Sequence, residues 1–244
     1  MKRWLSVLTP AARLSVWKVL LLSALAAGVQ VLLFLTVPLD TQYDTHRVTF
    51  SLEEVVHQGN LSLAFSVGFV LVCAALVLPG VERGAKTSYT LRRLAADERV
   101  VVLLWGGVNA LLLLIFWGIQ AAAALALSRY YLQIMPTEYI NQQTLLMAFS
   151  RSPYLHALLP TWDWGLTIRN LLGCAILGLS AAALPFHWRH GRKAWSTFPL
   201  VILAGFTFPC GMDGSAVYGI QILILGVIGA LTVFGVWRWH EDEE

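Results

Sequence analysis

Residues 80 to 87 come closest to a recognised chemical motif. The segment GVERGAKT differs at one position from the GxxxxGK[ST] loop that surrounds nucleotide phosphates, because Ala85 stands where the second glycine is required. Such a loop follows a buried strand, whereas a long apolar segment precedes this one. The chain also has no room for a nucleotide-binding domain around it. We therefore do not expect this chain to bind nucleotides.

Two other combinations of reactive residues lack the spacing that catalysis needs. Glu54 and His57 resemble part of a zinc-protease HExxH motif, which requires a second histidine four residues from the first. Asp213 and Ser215 with the distant His156 could suggest a serine hydrolase, but no nucleophile elbow surrounds the serine. A polar turn explains residues 211–215 better. The sequence therefore predicts no catalytic residue and no metal site.

Composition places these residues in a membrane protein. Of the 244 residues, 57% are hydrophobic and only 13% are charged, and the mean hydropathy is +0.67. These values exclude the soluble classes. The net charge of +3 does not indicate nucleic-acid binding, because the basic residues lie beside apolar segments, as the positive-inside rule describes.

Apolar windows near the roughly 20 residues that cross a bilayer predict an all-α protein with one transmembrane domain over 1–244. A surface helix is expected at 1–15, because its apolar and basic residues alternate amphipathically. Six spans are expected at about 16–37, 61–79, 100–128, 168–186, 197–210 and 215–237. The fifth is short and contains Pro199 and Pro209.

The basic loops predict the orientation. The N-terminal segment and the loops 80–99 and 187–193 carry most Lys and Arg residues, so we expect them in the cytoplasm together with both termini. Segments 38–60 and 129–167 are then outside, and a short interfacial helix is expected at 138–150. Short loops and unpaired cysteines are typical of a bacterial cytoplasmic membrane.

Small residues inside the spans predict close helix contacts. Glycines occur in pairs in the third, fourth and sixth spans, at Gly106 and Gly107, Gly173 and Gly178, and Gly226 and Gly229. The sequence leaves open whether these contacts lie within one chain or between two copies. The three cysteines show no CxxC spacing and are expected to be small buried hydrophobic residues, at Cys73, Cys174 and Cys210.

The loop between spans two and three resembles one protein family. Its residues follow the pattern Gly84-x-Lys86-Thr87-x-x-x-Leu91-Arg92-Arg93-Leu94, and it sits in a layout of a surface helix and six spans. This arrangement is similar to the membrane subunit of an ATP-binding-cassette exporter of the ABC-2 type. It differs in carrying its long outer segment between spans three and four.

The resemblance implies a mechanism and partners. Two permease bodies, identical or paralogous, would pair in the lipid bilayer, and each would dock on a cytoplasmic ATPase that holds the ATP and Mg²⁺. No cofactor is implied in this chain. The docking element would be a coupling helix over 86–96, with an apolar and basic surface for a partner groove, formed by Lys86, Tyr89, Leu91, Arg92, Arg93 and Leu94.

The resemblance also implies a substrate path between the paired permeases. Spans one, two and five would line it, which points to Ser62, Ser66, Thr197 and Thr207, and Asn109 of the third span is a further candidate. An apolar path with few hydroxyls favours an amphipathic, peptide-like or lipid-like substrate. Such polar residues also bind neighbouring helices. A non-transporting assembly or sensor subunit and an intramembrane enzyme remain the alternative interpretations.

Overall fold

The fold is mostly helical. The computed structural model describes residues 2–38, 40–43, 46–81, 98–135, 143–160, 163–189, 197–211 and 214–238. In chain order its elements are α1 (Lys2–Thr36), β1 (Asp40–Tyr43), β2 (His46–Thr49), α2 (Leu52–Gln58), α3 (Leu61–Val81), α4 (Glu98–Ile134), α5 (Thr144–Arg151), α6 (Pro153–Leu158), α7 (Trp164–Arg189), α8 (Thr197–Thr207) and α9 (Ser215–Arg238).

Five of the helices in the described ranges are long and apolar enough to cross a membrane. Their apolar windows lie in α1, α3, α4, α7 and α9, at Ser15–Thr36, Leu61–Leu78, Arg99–Ile134, Trp164–Trp188 and Ala216–Gly235. This is the architecture of a multi-pass membrane protein. We call the end of the bundle where α1 and α4 finish the hairpin end, and the opposite end the loop end.

The first helix differs from its prediction. A surface helix at 1–15 followed by a separate span was expected, but α1 is one uninterrupted element from Lys2 to Thr36. Its apolar window begins at Ser15. The predicted boundary therefore marks a change in composition and not an end of secondary structure, because an amphipathic segment and an apolar segment share the same helical backbone geometry.

Glycines allow α4 and α7 to form the most extensive contact of the bundle. A Cβ atom on Gly178 would lie 2.5 Å from the amide nitrogen of Ala110 and 2.8 Å from the carbonyl oxygen of Gly106. A Cβ on Gly106 would lie 3.0 Å from Leu179. The two backbones thus approach as closely as small residues permit. Within one chain, this accounts for the predicted contacts of Gly106 and Gly178.

Short elements at the hairpin end form what we call the cap. It consists of the antiparallel strands β1 and β2, paired from Asp40 with Thr49 to Tyr43 with His46, and of α2, α5 and α6. Helix α2 begins with a capping box, in which Ser51 and Glu54 each accept a hydrogen bond from the other's backbone amide. The Tyr131 hydroxyl of α4 donates to the Phe50 carbonyl over 2.7 Å and fixes the cap to the bundle.

Helices α7 and α9 run in the same direction. A Cβ on Gly165 would lie 3.5 Å from Tyr218 at the hairpin end, and one on Gly235 would lie 3.6 Å from His187 at the loop end. The chain between them therefore returns from the loop end to the hairpin end, and α8 lies in that segment. With 11 residues, α8 spans about 16 Å, or half of a hydrocarbon core of about 30 Å.

The predicted spans compare with the helices as follows. The predictions at 61–79, 100–128 and 215–237 lie within α3, α4 and α9. The fourth span begins earlier than expected, at Trp164, and the fifth candidate is too short to qualify as a span by length. The predicted outer helix at 138–150 corresponds to α5, which covers Thr144–Arg151.

Candidate functional site

A buried arginine organises the hairpin end of the bundle. Arg169 lies five residues into α7, within the apolar window of that helix, and only 4% of it is exposed. Since each residue of a helix rises 1.5 Å, this position is roughly 7 to 8 Å inside the window. An ionisable group at such a depth is costly unless it is paired, and it therefore indicates a functional site.

Every N–H group of this guanidinium has an acceptor. Its Nε and Nη2 donate to the Asn170 Oδ1 at 3.1 and 2.8 Å, and Nη2 also donates to the Phe208 carbonyl at 3.3 Å. The Nη1 donates to the Cys210 carbonyl and to the Gln221 Oε1, both at 3.1 Å. Five donors thus form five hydrogen bonds, which offsets the desolvation of the charge.

These acceptors explain why an arginine belongs here. Helix α8 ends at Thr207 and Pro209 follows it, since proline cannot continue a helix. The Phe208 and Cys210 carbonyls directly follow the end of α8, where the helix carries a partial negative charge. Arg169 supplies both the donors and the positive charge, so it holds the break between α8 and α9.

The same cluster connects this break to the cap. The side-chain Nδ2 of Asn170 donates a hydrogen bond to the Ala157 carbonyl at the end of α6 over 3.1 Å. A Cβ on Gly211 would lie 2.7 Å from the Ala157 amide nitrogen, so the two backbones touch. The Tyr218 ring of α9 lies 5.4 Å from the Arg169 guanidinium carbon, in a cation–π contact.

An aromatic cluster holds the other side of Phe208. The centroid of the Phe208 ring is 5.1 Å from the ring centroid of Phe69, 5.6 Å from that of Phe65 and 5.8 Å from that of Trp117. Phe116 completes the cluster 5.4 Å from Phe65. Each such pair contributes about 0.5 to 1.5 kcal/mol beyond area burial. Phe208 is therefore fixed through its ring by α3 and α4 and through its carbonyl by α7.

Beside this cluster lie polar groups whose hydrogen bonds are incomplete. The Tyr154 ring of α6 is 5.9 Å from Phe65, and its hydroxyl is next to the Gln30 amide of α1. Burial raises the pKa of Tyr154, and the Gln30 side chain opposes part of that rise. Within the described ranges, neither the two polar atoms of Gln30 nor the Tyr154 hydroxyl has a well-aligned hydrogen-bond partner, although all three are buried.

The predicted docking residues lie outside the described part of the chain. Helix α3 ends at Val81 and α4 begins at Glu98. The segment between them contains all six proposed coupling residues, namely Lys86, Tyr89, Leu91, Arg92, Arg93 and Leu94. The coupling-helix assignment stays a prediction.

The predicted path residues lie on α3, α4 and α8. The hydroxyls of Ser66 and Thr207 donate to carbonyls of their own helices, at Ser62 (3.0 Å) and Leu203 (2.8 Å). Asn109 is fully buried in the α4–α7 contact and donates to the Gly178 carbonyl over 3.3 Å. Thr197 begins α8, and its side chain lies outside the described set. A packing role explains Ser66, Thr207 and Asn109.

Sequence reasoning missed the central residue of the site. The predicted fourth span started at 168, which put Arg169 at its edge, where a charge needs no explanation. The available signal was Asp163, whose carboxylate accepts from the Leu166 amide at 3.1 Å and caps α7. An aspartate before an apolar run predicts a helix start at 164, and this start moves Arg169 inside the helix.

The cysteines divide into two groups. Cys73 and Cys174 are buried, as predicted, but the prediction for Cys210 was wrong, because it is exposed. It lies after Pro209, in the segment between α8 and α9. Its carbonyl faces inward to Arg169, whereas its thiol donates to the Phe206 carbonyl over 3.4 Å.

The Glu54–His57 pair is not part of a metal-binding group in the described ranges. His57 is exposed, and the described residues contain no group of three or more His, Cys, Asp or Glu side chains arranged to hold a metal ion. Comparison with protein-family models, with curated proteins and with solved structures finds no significant match to this chain.

Proposed function

We propose that this chain is the membrane-embedded permease subunit of an ATP-binding-cassette exporter of the ABC-2 type. It would move an amphipathic, peptide-like or lipid-like substrate with energy from a separate ATPase. The observation that carries the proposal is the short helix α8, which ends inside the bundle against the buried Arg169. Interrupted helices beside a buried charge are common where transporters bind or gate their substrates.

A sixth crossing completes the proposed topology. Because α7 and α9 are parallel, α8 and residues 208–211 must return the chain to the hairpin end, where Gly211 touches the cap. Six crossings put both termini at the loop end. That end also holds the basic loops 80–99 and 187–193, so the positive-inside rule makes it cytoplasmic. The membrane would be a bacterial cytoplasmic membrane.

The break between α8 and α9 suggests how movement could reach the transport path. Phe208 is attached to α7 through its carbonyl and to α3 and α4 through its ring. Displacement of α3 by an ATPase bound to the 82–97 loop would therefore act directly on the α8 end. In this proposal a second permease copy or a paralogue forms the other wall of the path.

A non-transporting assembly subunit is the second candidate. Only 11% of the apolar window of α9 is buried, against 67% for α7, and α9 presents large apolar side chains outward along its length. Lipid could cover this surface, and so could a partner helix. An assembly subunit would bind other membrane proteins and would not stimulate an ATPase.

Substitutions in the predicted coupling helix at 86–96 test the proposed transport function. The tagged full-length chain is purified from its native membrane in mild detergent, and associated proteins are quantified by mass spectrometry. We expect an ATPase subunit near equal stoichiometry, and its loss when Arg92→Asp and Leu94→Asp are combined, because the charges oppose the docking surface. Arg129→Asp, an exposed charge reversal at the other end of α4, should retain it.

Two results would contradict the transporter proposal. One is purification of the wild-type chain with membrane proteins alone, which would favour the assembly subunit. The other is equal ATPase recovery from the wild-type and the double variant, which would remove the 82–97 loop as the docking element. Insertion of each variant is checked by its yield in the membrane fraction.

A further inference from the structure

The cap contains a cleft that is separate from the arginine site. It has a volume of about 350 Å³ and lies between α2 and α5, beside the last turn of α4. Its base is formed by the buried side chains of Leu52, Tyr131 and Ala148. This volume is within the range of sites that bind small ligands.

Two opposite charges stand in the cleft. The Arg151 Nη1 is 3.7 Å from the Glu53 Oε1, and the two side chains are 64% and 29% exposed. The separation is about 1 Å longer than a charge-assisted hydrogen bond. Each group therefore keeps capacity for a charged ligand, because a guanidinium can bind a phosphate through two N–H groups while a carboxylate accepts from an ammonium.

The cleft lies near one end of the apolar window of α4. Tyr131, at its base, is three residues before the end of the apolar window of α4 at Ile134. Met147 lines the cleft and is 46% exposed, and the neighbouring Leu146 is 60% exposed. Exposed apolar side chains beside charged ones are characteristic of segments that lie in the lipid headgroup region.

We propose that this cleft binds the headgroup of a phospholipid that carries both a phosphate and a primary ammonium. Arg151 binds the phosphate, Glu53 accepts from the ammonium, and Met147 contacts the glycerol and the first acyl carbons. The phosphate and the ammonium of the ligand are opposite in charge to Arg151 and Glu53, the two charged residues that line the cleft. The inference is independent of the proposed transport function.

Native mass spectrometry of the delipidated full chain in detergent tests this site. Phosphatidylethanolamine and phosphatidylglycerol are titrated separately, and phosphatidylethanolamine should bind about tenfold more tightly, because a hydrogen bond to a charged group contributes about that factor. Phosphatidylcholine should resemble phosphatidylglycerol, since its trimethylammonium group cannot donate to Glu53. Equal binding of all three lipids would overturn the proposal.

Substitutions of Glu53 and Arg151 distinguish the contributions of the two charged side chains to lipid binding. Glu53→Gln should reduce the preference for phosphatidylethanolamine to about twofold or less, whereas Arg151→Gln should weaken both lipids about tenfold. Arg129→Gln, an arginine on the exposed surface of α4 outside the cleft, should bind as the wild type. Arg151→Lys keeps the charge and serves if Arg151→Gln does not fold, with an expected intermediate affinity. Wild-type binding by both Glu53→Gln and the Arg151 variant would overturn the assignment.

Competition with a soluble headgroup distinguishes a bound lipid from a free ligand. Glycerophosphoethanolamine has the same two charges but no acyl chains. We expect it not to displace bound phosphatidylethanolamine at a hundredfold molar excess, because the apolar contacts at Met147 hold the lipid. Displacement at that excess would contradict the lipid assignment and indicate a soluble zwitterion.

Discussion

Arg169 and Gln30 are both buried in membrane helices, yet their surroundings differ. Arg169 carries the larger desolvation cost, and each of its five N–H groups has an acceptor. Gln30 is fully buried, and its amide atoms have no well-aligned partner in the described ranges. Burial alone therefore does not identify a polar residue with a structural role. Arg169 is fully paired in the fold, whereas the Gln30 amide lies beside the Tyr154 hydroxyl without an aligned hydrogen bond in the described ranges.

Replacement of Arg169 should have the largest effect. Arg169→Leu leaves the carbonyls of Phe208 and Cys210 and the side-chain oxygens of Asn170 and Gln221 without their donor. Since each buried unsatisfied group costs about 1 to 3 kcal/mol, we expect a loss of at least about 3 kcal/mol. The measurement is denaturant unfolding of the purified chain in detergent micelles.

An exposed arginine provides the matched control for this substitution. Arg129→Leu, on the exposed surface of α4, should change the unfolding free energy by no more than about 0.5 kcal/mol. Arg169→Lys should be intermediate, because an ammonium has three donors and cannot reproduce the planar fork. Similar stability of Arg169→Leu and Arg129→Leu would show that the arginine does not hold the α8 end.

The α4–α7 contact positions the Asn109 side chain through close backbone packing. Gly178→Ala places a methyl group against the backbone of Gly106 and Ala110 and should separate the helices, which also breaks the Asn109 hydrogen bond. We expect a loss of about 1 to 3 kcal/mol. Gly107 faces open space. Gly107→Ala should therefore raise the free energy of unfolding by up to about 1 kcal/mol, because alanine has the higher helix propensity. Losses of equal size in the two variants would contradict the close contact.

Gln30→Leu should have the smallest effect and the opposite sign. Replacing an amide that lacks aligned partners by an apolar group of similar size should leave stability unchanged or raise it by about 1 kcal/mol. Gln120→Leu is the comparison, because its amide does donate to the Ser23 carbonyl over 3.0 Å, and it should be less stable than Gln30→Leu. A loss above about 1 kcal/mol on Gln30→Leu would show that the amide is already satisfied in the folded chain.

The elements that the sequence predicted well are those with uniform composition. Helices α3, α4 and α9 follow apolar runs, so the hydropathy of each run determines most of the helix. The predicted start at 168 for α7 was displaced, and the surface helix predicted at 1–15 is continuous with the first span, because polar residues near a helix end alter hydropathy but not backbone geometry.

The site was less predictable because it is formed by distant contacts. Asn170 and Gln221 are recognisable as polar residues of spans, but their relation to Arg169 arises only when α7 and α9 pack in parallel. The cap illustrates the same limit. Ser51 and Glu54 have the spacing of a capping box and were available as a helix signal, whereas the ion pair of Glu53 with Arg151 joins residues about a hundred positions apart.

In the proposed topology, α8 and residues 208–211 return the chain to the hairpin end, so the exposed Cys210 is accessible from the side opposite both termini. The most direct measurement is labelling of the native cysteines in intact cells with a membrane-impermeant maleimide, with terminal tags as side markers and Gln58→Cys in the cap as the accessible control. We predict labelling of Cys210 from outside, loss of that label in Cys210→Ser, and no labelling of the buried Cys73 and Cys174 before denaturation. Labelling of Cys210 only from the side that exposes the terminal tags would contradict the crossing and, with it, the six-span permease.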